Sequence, residues 1–183
     1  MNAHFAFDQK TNRHGRQSGF TLLELLVVIL VVAILAALAG PSFIATIASA
    51  EVNGTRDKLA SAMQYARSEA LKRKTPVSVC ASADQTTCSN GTDWQNGWLV
   101  FGDLNGNASL DAGETVLQVE YSAGQLNTYN DGGDIVTFNR IGRAVTGAGD
   151  YAFCHPEQPS RGRVVRITVT GSVERQQEII GGC

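Results

Sequence analysis

Residues 19–41 read GFTLLELLVVILVVAILAALAGP, and this stretch governs how the rest of the chain is read. From Leu25 to Ala39 there is no polar side chain. The run from Phe20 to Ala39 has the length, about 20 residues, that a helix needs to cross a bilayer. Upstream, residues 1–19 are polar and carry Lys10, Arg13 and Arg16 just before the apolar run. Positive charge on that side predicts that the leader stays in the cytoplasm and the remainder is exported. An ordinary secretory signal has a shorter apolar core followed by small residues at a cleavage site. Ala36 to Gly40 mimic such a site, so the pattern alone leaves that alternative open.

Glu24 breaks the pattern. A carboxylate deep in an apolar helix costs roughly 2.5–3.5 kcal/mol on insertion scales, and less near the helix end. It calls for a cationic partner, yet no Lys or Arg lies between Phe20 and Glu51. A free α-amino group would serve if the chain began at Phe20. That requires cleavage between Gly19 and Phe20, before the apolar run and not after it.

Gly19-Phe20-Thr21-Leu22-Leu23-Glu24, followed by an apolar helix and Pro41, resembles the type IV prepilin signature. The resemblance implies that a prepilin peptidase cuts after Gly19 and that Phe20 becomes the N-methylated terminus. It also implies that Glu24 pairs with the N-terminus of a neighbouring subunit during assembly. The segments expected are then a leader over 1–19, a transmembrane and assembly helix over 20–40, and an amphipathic continuation over 41–75. A β-rich periplasmic head occupies 76–183.

Past Pro41, which lacks an N–H and clashes with the preceding turn, helical pattern resumes. Val52, Leu59, Met63, Ala66 and Ala70 recur at intervals of seven, four, three and four and form one apolar face. Arg56, Lys58, Arg67, Lys72 and Arg73 populate the other. Thr75-Pro76 ends the helix. Beyond it, strands are predicted at Val77–Cys80, Trp98–Phe101, Thr115–Tyr121, Ile135–Phe138, Tyr151–Cys154 and Val164–Thr170, with glycine-rich loops at 131–133 and 147–149. The fold class is α+β: one long helix with a mostly antiparallel sheet on its second half.

Two stretches in this region are similar to the GspH/FimT family. One is the helix from Leu59-Ala60-Ser61-Ala62 to Ala66-Arg67-Ser68-Glu69-Ala70-Leu71-Lys72-Arg73, with Pro76-Val77 to Cys80. The other is Trp94 with Gly97-Trp98-Leu99-Val100-Phe101 and the acidic turn at Asp103. The likeness implies a minor pilin or pseudopilin, inserted once in the bacterial inner membrane with a periplasmic head and then assembled into a pilus or pseudopilus. The partners implied are other minor and major pilins or pseudopilins, the prepilin peptidase, the assembly platform of the inner membrane, and lipid.

Four cysteines, at 80, 88, 154 and 183, suit an exported domain with two disulfides, and unpaired buried thiols are the other reading. Of the three possible connectivities, the local one pairs Cys80 with Cys88 and Cys154 with Cys183. No CxxC pair supports a metal site. Asp103 to Glu114 places oxygen-bearing side chains at positions 1, 3, 5, 7, 9 and 12, the calcium-loop spacing. The sixth position is Ala108 where that loop needs glycine, and strands flank it, so a polar hairpin connection is expected with no metal.

Arginines concentrate late in the chain, and Arg161, Arg163 and Arg166 are the candidates for DNA contact. FimT-type pilins use a Gly-Arg-x-Arg element that this sequence lacks, and nearby acids favour a solvated face. No nucleophile elbow, phosphate loop or zinc-protease motif occurs, and His4 and His14 fall in the leader. The sequence therefore predicts a structural subunit and no enzyme, with no cofactor. Its first role is in assembling or priming a type IV pilus. The alternatives are the H pseudopilin of type II secretion and a DNA-binding pilin for natural transformation.

Overall fold

The computed structural model describes residues 19–89, 91, 93–122 and 125–176, without the side chains of 38–42, 160 and 161. Helix α1 spans Leu22–Arg73. Its start is capped by Thr21, whose Oγ1 accepts the Glu24 N–H at 3.2 Å while its carbonyl accepts the Leu25 N–H at 3.1 Å. Thr-x-x-Glu is the capping-box pattern, and here the threonine half of the box is made. The helix assignment continues through Pro41, where one intrahelical N–H is necessarily missing. The chain divides into two compact units between Gly40 and Pro41.

In the first unit every described side chain from 19 to 37 is exposed, Phe20 at 83% and Leu22 at 81% among them. The transmembrane helix expected over 20–40 extends past the last described side chain of this unit. Among the described residues no helix is long and apolar enough to cross a membrane. The apolar run continues through residues 38–40, whose side chains lie outside the described set, so its described part stops short of the about 20 residues required.

In the second unit the apolar face predicted from the 3.6-residue period is the buried one: Val52, Leu59, Met63, Ala66 and Ala70 are all fully buried. Lys74 takes φ 56°, the left-handed turn that stops the helix, and Pro76 leads into the sheet. Among the described residues nine strands follow, in two antiparallel sheets. Strands β1 (Val77–Ala81), β2 (Gly97–Gly102), β3 (Val116–Tyr121), β5 (Ile135–Phe138) and β6 (Ala144–Thr146) form one sheet in the order β3-β2-β1-β5-β6. Strands β4 (Asn127–Asn130), β7 (Gly149–His155), β8 (Gln158–Ile167) and β9 (Val173–Gln176) form the other in the order β4-β7-β8-β9. The single sheet expected from the sequence is thus two. One core joins both to α1, with Trp94, Trp98, Phe138, Tyr151 and Phe153 packed on the helix residues. Trp94 and Tyr151 meet edge-to-face at 5.0 Å between ring centroids.

Period-2 alternation sends the other side chains of β1 and β2 to the opposite face. There Cys80, Leu99 and Phe101 make a second small cluster with Cys88, Leu110 and Ile135. Two loops supply its outer residues, 82–96 through the Cys80–Cys88 disulfide and 103–115 through Leu110.

Glu69, 7% exposed, accepts hydrogen bonds from Arg73 and from Lys72 in the last turns of α1. The Arg73 hydrogen bond, foremost, and the Lys72 contact hold its carboxyl below the usual glutamate value, against the opposing effect of burial. A lowered folded-state value means that this contribution to stability is complete above the unfolded value of about 4.3. It is lost as pH falls through the folded value. Thermal melting of wild type and Glu69→Gln from pH 7 to pH 2 should therefore show a constant gap above about pH 5 that closes on acidification. A gap that widens towards low pH would contradict this assignment.

Candidate assembly surface

Gly19, Phe20 and Glu24 lie together at the start of α1, all exposed. Glu24 stands at the third helical position, where a carboxylate also favours the positive end of the helix dipole. Its carboxylate has no ion pair among the described residues. Leu22, Leu23, Leu25 and Leu26 around it are each at least half exposed.

The loop with calcium spacing is closed by its own atoms. Asp103 is fully buried, and its carboxylate accepts from Ser78 Oγ at 2.8 Å, the Asn107 N–H at 3.1 Å and the Ala108 N–H at 3.0 Å. Ser78 Oγ lies 2.7 Å from Thr137 Oγ1. With its one hydrogen directed at Asp103, it accepts from Thr137. Glu114 accepts the backbone N–H groups of Leu104 and Asp111, at 2.8 and 3.0 Å. Asp111 accepts the amides of Asn105 and Asn107, which hold its carboxyl below the usual range. Ala108 adopts φ 60° at the position where glycine would be expected. Among the described residues no group of three or more His, Cys, Asp or Glu is placed to hold a metal ion.

The candidate DNA-contacting arginines are not brought together as a free basic face. Arg166 makes a bidentate pair with Asp150, at 2.6 and 2.7 Å, the residue opposite it in the β7–β8 register. Arg163 Nε donates to Asn53 Oδ1 on α1 at 3.1 Å. The side chain of Arg161 lies outside the described residues. Arg175 pairs with Asp57 at 3.2 Å.

Residues 55–172 match the family described as type II transport protein GspH. The chain belongs to the GspH family. Residues 14–40 match the prokaryotic N-terminal methylation motif, which ends at the boundary between the two units. Two crystal structures of the type IV minor pilin FimU from Pseudomonas aeruginosa share the fold. They have TM-scores of 0.53 and 0.54, at 22% and 24% identity. They cover 69% and 68% of this chain and 88% and 91% of the FimU chains. No curated protein matches the chain.

Within this GspH-family head the Cys80–Cys88 disulfide is formed, with the Cα atoms 5.6 Å apart. Closing so short a loop contributes about 2–3 kcal/mol by loop-closure entropy. Cys154, fully buried on β7, is also disulfide-bonded. Its expected partner Cys183 lies outside the described residues. Sequence reasoning missed the role of Asp103 as a buried acceptor, and the Thr21 cap, although Thr21-x-x-Glu24 was a readable signal for the latter.

Proposed function

We propose that this chain is a prepilin-type structural subunit, cut between Gly19 and Phe20, methylated at Phe20, and assembled through α1 as a minor pilin of a type IV pilus. The observation that carries the reading is Glu24, without an ion pair among the described residues, on an exposed apolar helix four residues from Phe20 and inside the N-terminal methylation motif. Before assembly the helix over 20–40 is held in the lipid of the inner membrane, where its backbone groups are internally bonded and its apolar side chains have no other cover. On assembly it exchanges lipid for the helices of other pilins. Glu24 then gains the α-amino group of a neighbouring subunit, which fixes the register. The prepilin peptidase and the inner-membrane assembly platform are the partners that precede this step. Pro41 marks the passage from the assembly helix to the head, and a Cys154–Cys183 bridge ties the C-terminus to β7. The GspH-family match supports a second reading, the pseudopilus of type II secretion. DNA contact through Arg163 and Arg166 is disfavoured by the partners those two arginines already have.

The test is the yield of sheared surface filaments from cells lacking this gene, beside a complemented control. A large loss restored by complementation is the expected result. An unchanged yield with lost secretion would move the assignment to the pseudopilus, and an unchanged yield of both would remove the assembly role.

A further inference from the structure

Arg67 lies on α1 beneath two turns. One, residues 139–143 between β5 and β6, carries Gly142 at φ 73°. The other, residues 168–171 after β8, carries Gly171 at φ 81°. A Cβ on Gly171 would stand 1.9 Å from the Gly142 carbonyl oxygen and 3.3 Å from Arg67 Nε. A Cβ on Gly142 would stand 3.1 Å from Arg67 Nε and 3.2 Å from Leu71 Cγ. Glycine at both positions is what lets the turns stack on one another and come close to Arg67 Nε.

The guanidinium held there makes no hydrogen bond and no ion pair among the described residues, and its Nε is buried without an acceptor. Arg56, Arg73, Arg166 and Arg175 each have a carboxylate. A buried donor left unsatisfied is uncommon in a folded protein and asks for a reason. Arginine presents five donors in a planar fork that fits a carboxylate. Leu71, also against the Gly142 turn, and Ile141, in that turn, are 47% and 63% exposed. Arg140 and Arg143, in the same turn as Gly142, are exposed and have no ion pair among the described residues. The acid nearest on the helix, Glu69, is already occupied by Lys72 and Arg73.

We propose that this clamped Arg67 is a docking point for the head of another subunit of the same filament. That subunit supplies a carboxylate to the guanidinium and an aliphatic side chain to Leu71 and Ile141. The proposal rests on the filament reading given above and names a contact of the head that the α1 interface does not provide. A protein partner fits better than a nucleic acid because exposed aliphatic side chains, Leu71 and Ile141, stand among these cations. A phosphate backbone is instead followed by cations along a path. A central arginine framed by apolar side chains is the composition of an interface anchor. The flanking Arg140 and Arg143 would steer an acidic surface towards it.

The experiment uses the full chain with a photo-crosslinking residue at 141, produced in cells that make the complete filament, and a control probe at exposed Ser61. The expected result is one adduct from position 141 and none from 61, its second component identified by mass spectrometry as a pilin-type subunit. Arg67→Gln should lower the adduct yield by at least about tenfold. The surface double variant Arg140→Glu/Arg143→Glu, which disturbs no packed residue, should do the same. The protein present in sheared filaments with no adduct, or with an adduct indifferent to both variants, would overturn the docking point and leave the filament reading standing. An adduct destroyed by nuclease would overturn it in favour of a nucleic acid. Absence from sheared filaments together with absence of the adduct would overturn both.

Discussion

Replacing Glu24 by alanine should remove this protein from the sheared filament fraction, by about tenfold or more, while leaving its amount in the membrane unchanged. The carboxylate sits on an exposed apolar stretch of α1 with no cation paired to it among the described residues. Deep in lipid such a group costs roughly 2.5–3.5 kcal/mol. Pairing with a positive terminus in the filament would reverse that penalty at one register only. Glu24 also stands at the last position of a Thr-x-x-Glu pattern at the helix start, where its backbone N–H donates to Thr21 Oγ1. Glutamine separates the two. Glu24→Gln keeps a side chain able to serve a capping box but carries no charge, so under the pairing account it should fail as Glu24→Ala does. Incorporation restored by glutamine would assign Glu24 to capping, an effect of about 1 kcal/mol, and would remove it from assembly.

The largest expected change in stability is at Asp103. Its carboxylate is the acceptor for one buried hydroxyl and two backbone N–H groups, and it holds the 103–115 loop over Phe101 and Leu99. Asp103→Ala takes the acceptor from the buried Ser78 hydroxyl and the Ala108 N–H, while the Asn107 N–H keeps Asn105 Oδ1 at 3.1 Å. With about 1–3 kcal/mol for each buried donor left unsatisfied, and partial relaxation of the exposed loop, a loss of about 3–4 kcal/mol is expected. Asp103→Asn keeps one acceptor oxygen and should lose about half as much. Denaturant titration of the full chain in detergent measures both. The same samples should melt at an unchanged Tm in millimolar calcium, since the oxygens with calcium-loop spacing already accept hydrogen bonds from the loop itself. A substantial rise in Tm with calcium would overturn the structural account of this loop.

Much of the architecture was legible because it rests on local rules. The end of α1 at Thr75-Pro76, the buried face through Val52, Leu59, Met63, Ala66 and Ala70, and six strands follow from period and breakers. Strands β4, β6 and β9 were not legible, and all three are edge strands. An edge strand needs only one hydrogen-bonded neighbour, so short polar runs such as Asn127–Asn130 suffice and leave no alternation to detect. The division into two sheets was hidden for the same reason, since it depends on which strands stop pairing.

Side-chain partners from distant segments were the other blind spot. The density of arginines late in the chain made them candidates for DNA contact, against which only the nearby acids could be read. Asp150 stands opposite Arg166 only because of the β7–β8 register, and Asn53 reaches Arg163 from more than a hundred positions away. Arg67, whose buried Nε has no acceptor among the described residues, looked in the sequence like any other charge on the polar side of a helix. Gly19, Phe20 and Glu24 were readable because their meaning lies in contiguous sequence.

The central claim is that the chain is processed as a prepilin and then assembled. Intact mass and N-terminal peptide analysis of the protein recovered from sheared filaments test it most directly. The account predicts a chain that begins at Phe20 with a methylated amino group and retains Glu24 and the whole apolar run. A chain in that fraction beginning at Met1, or one starting after Gly40, would contradict it.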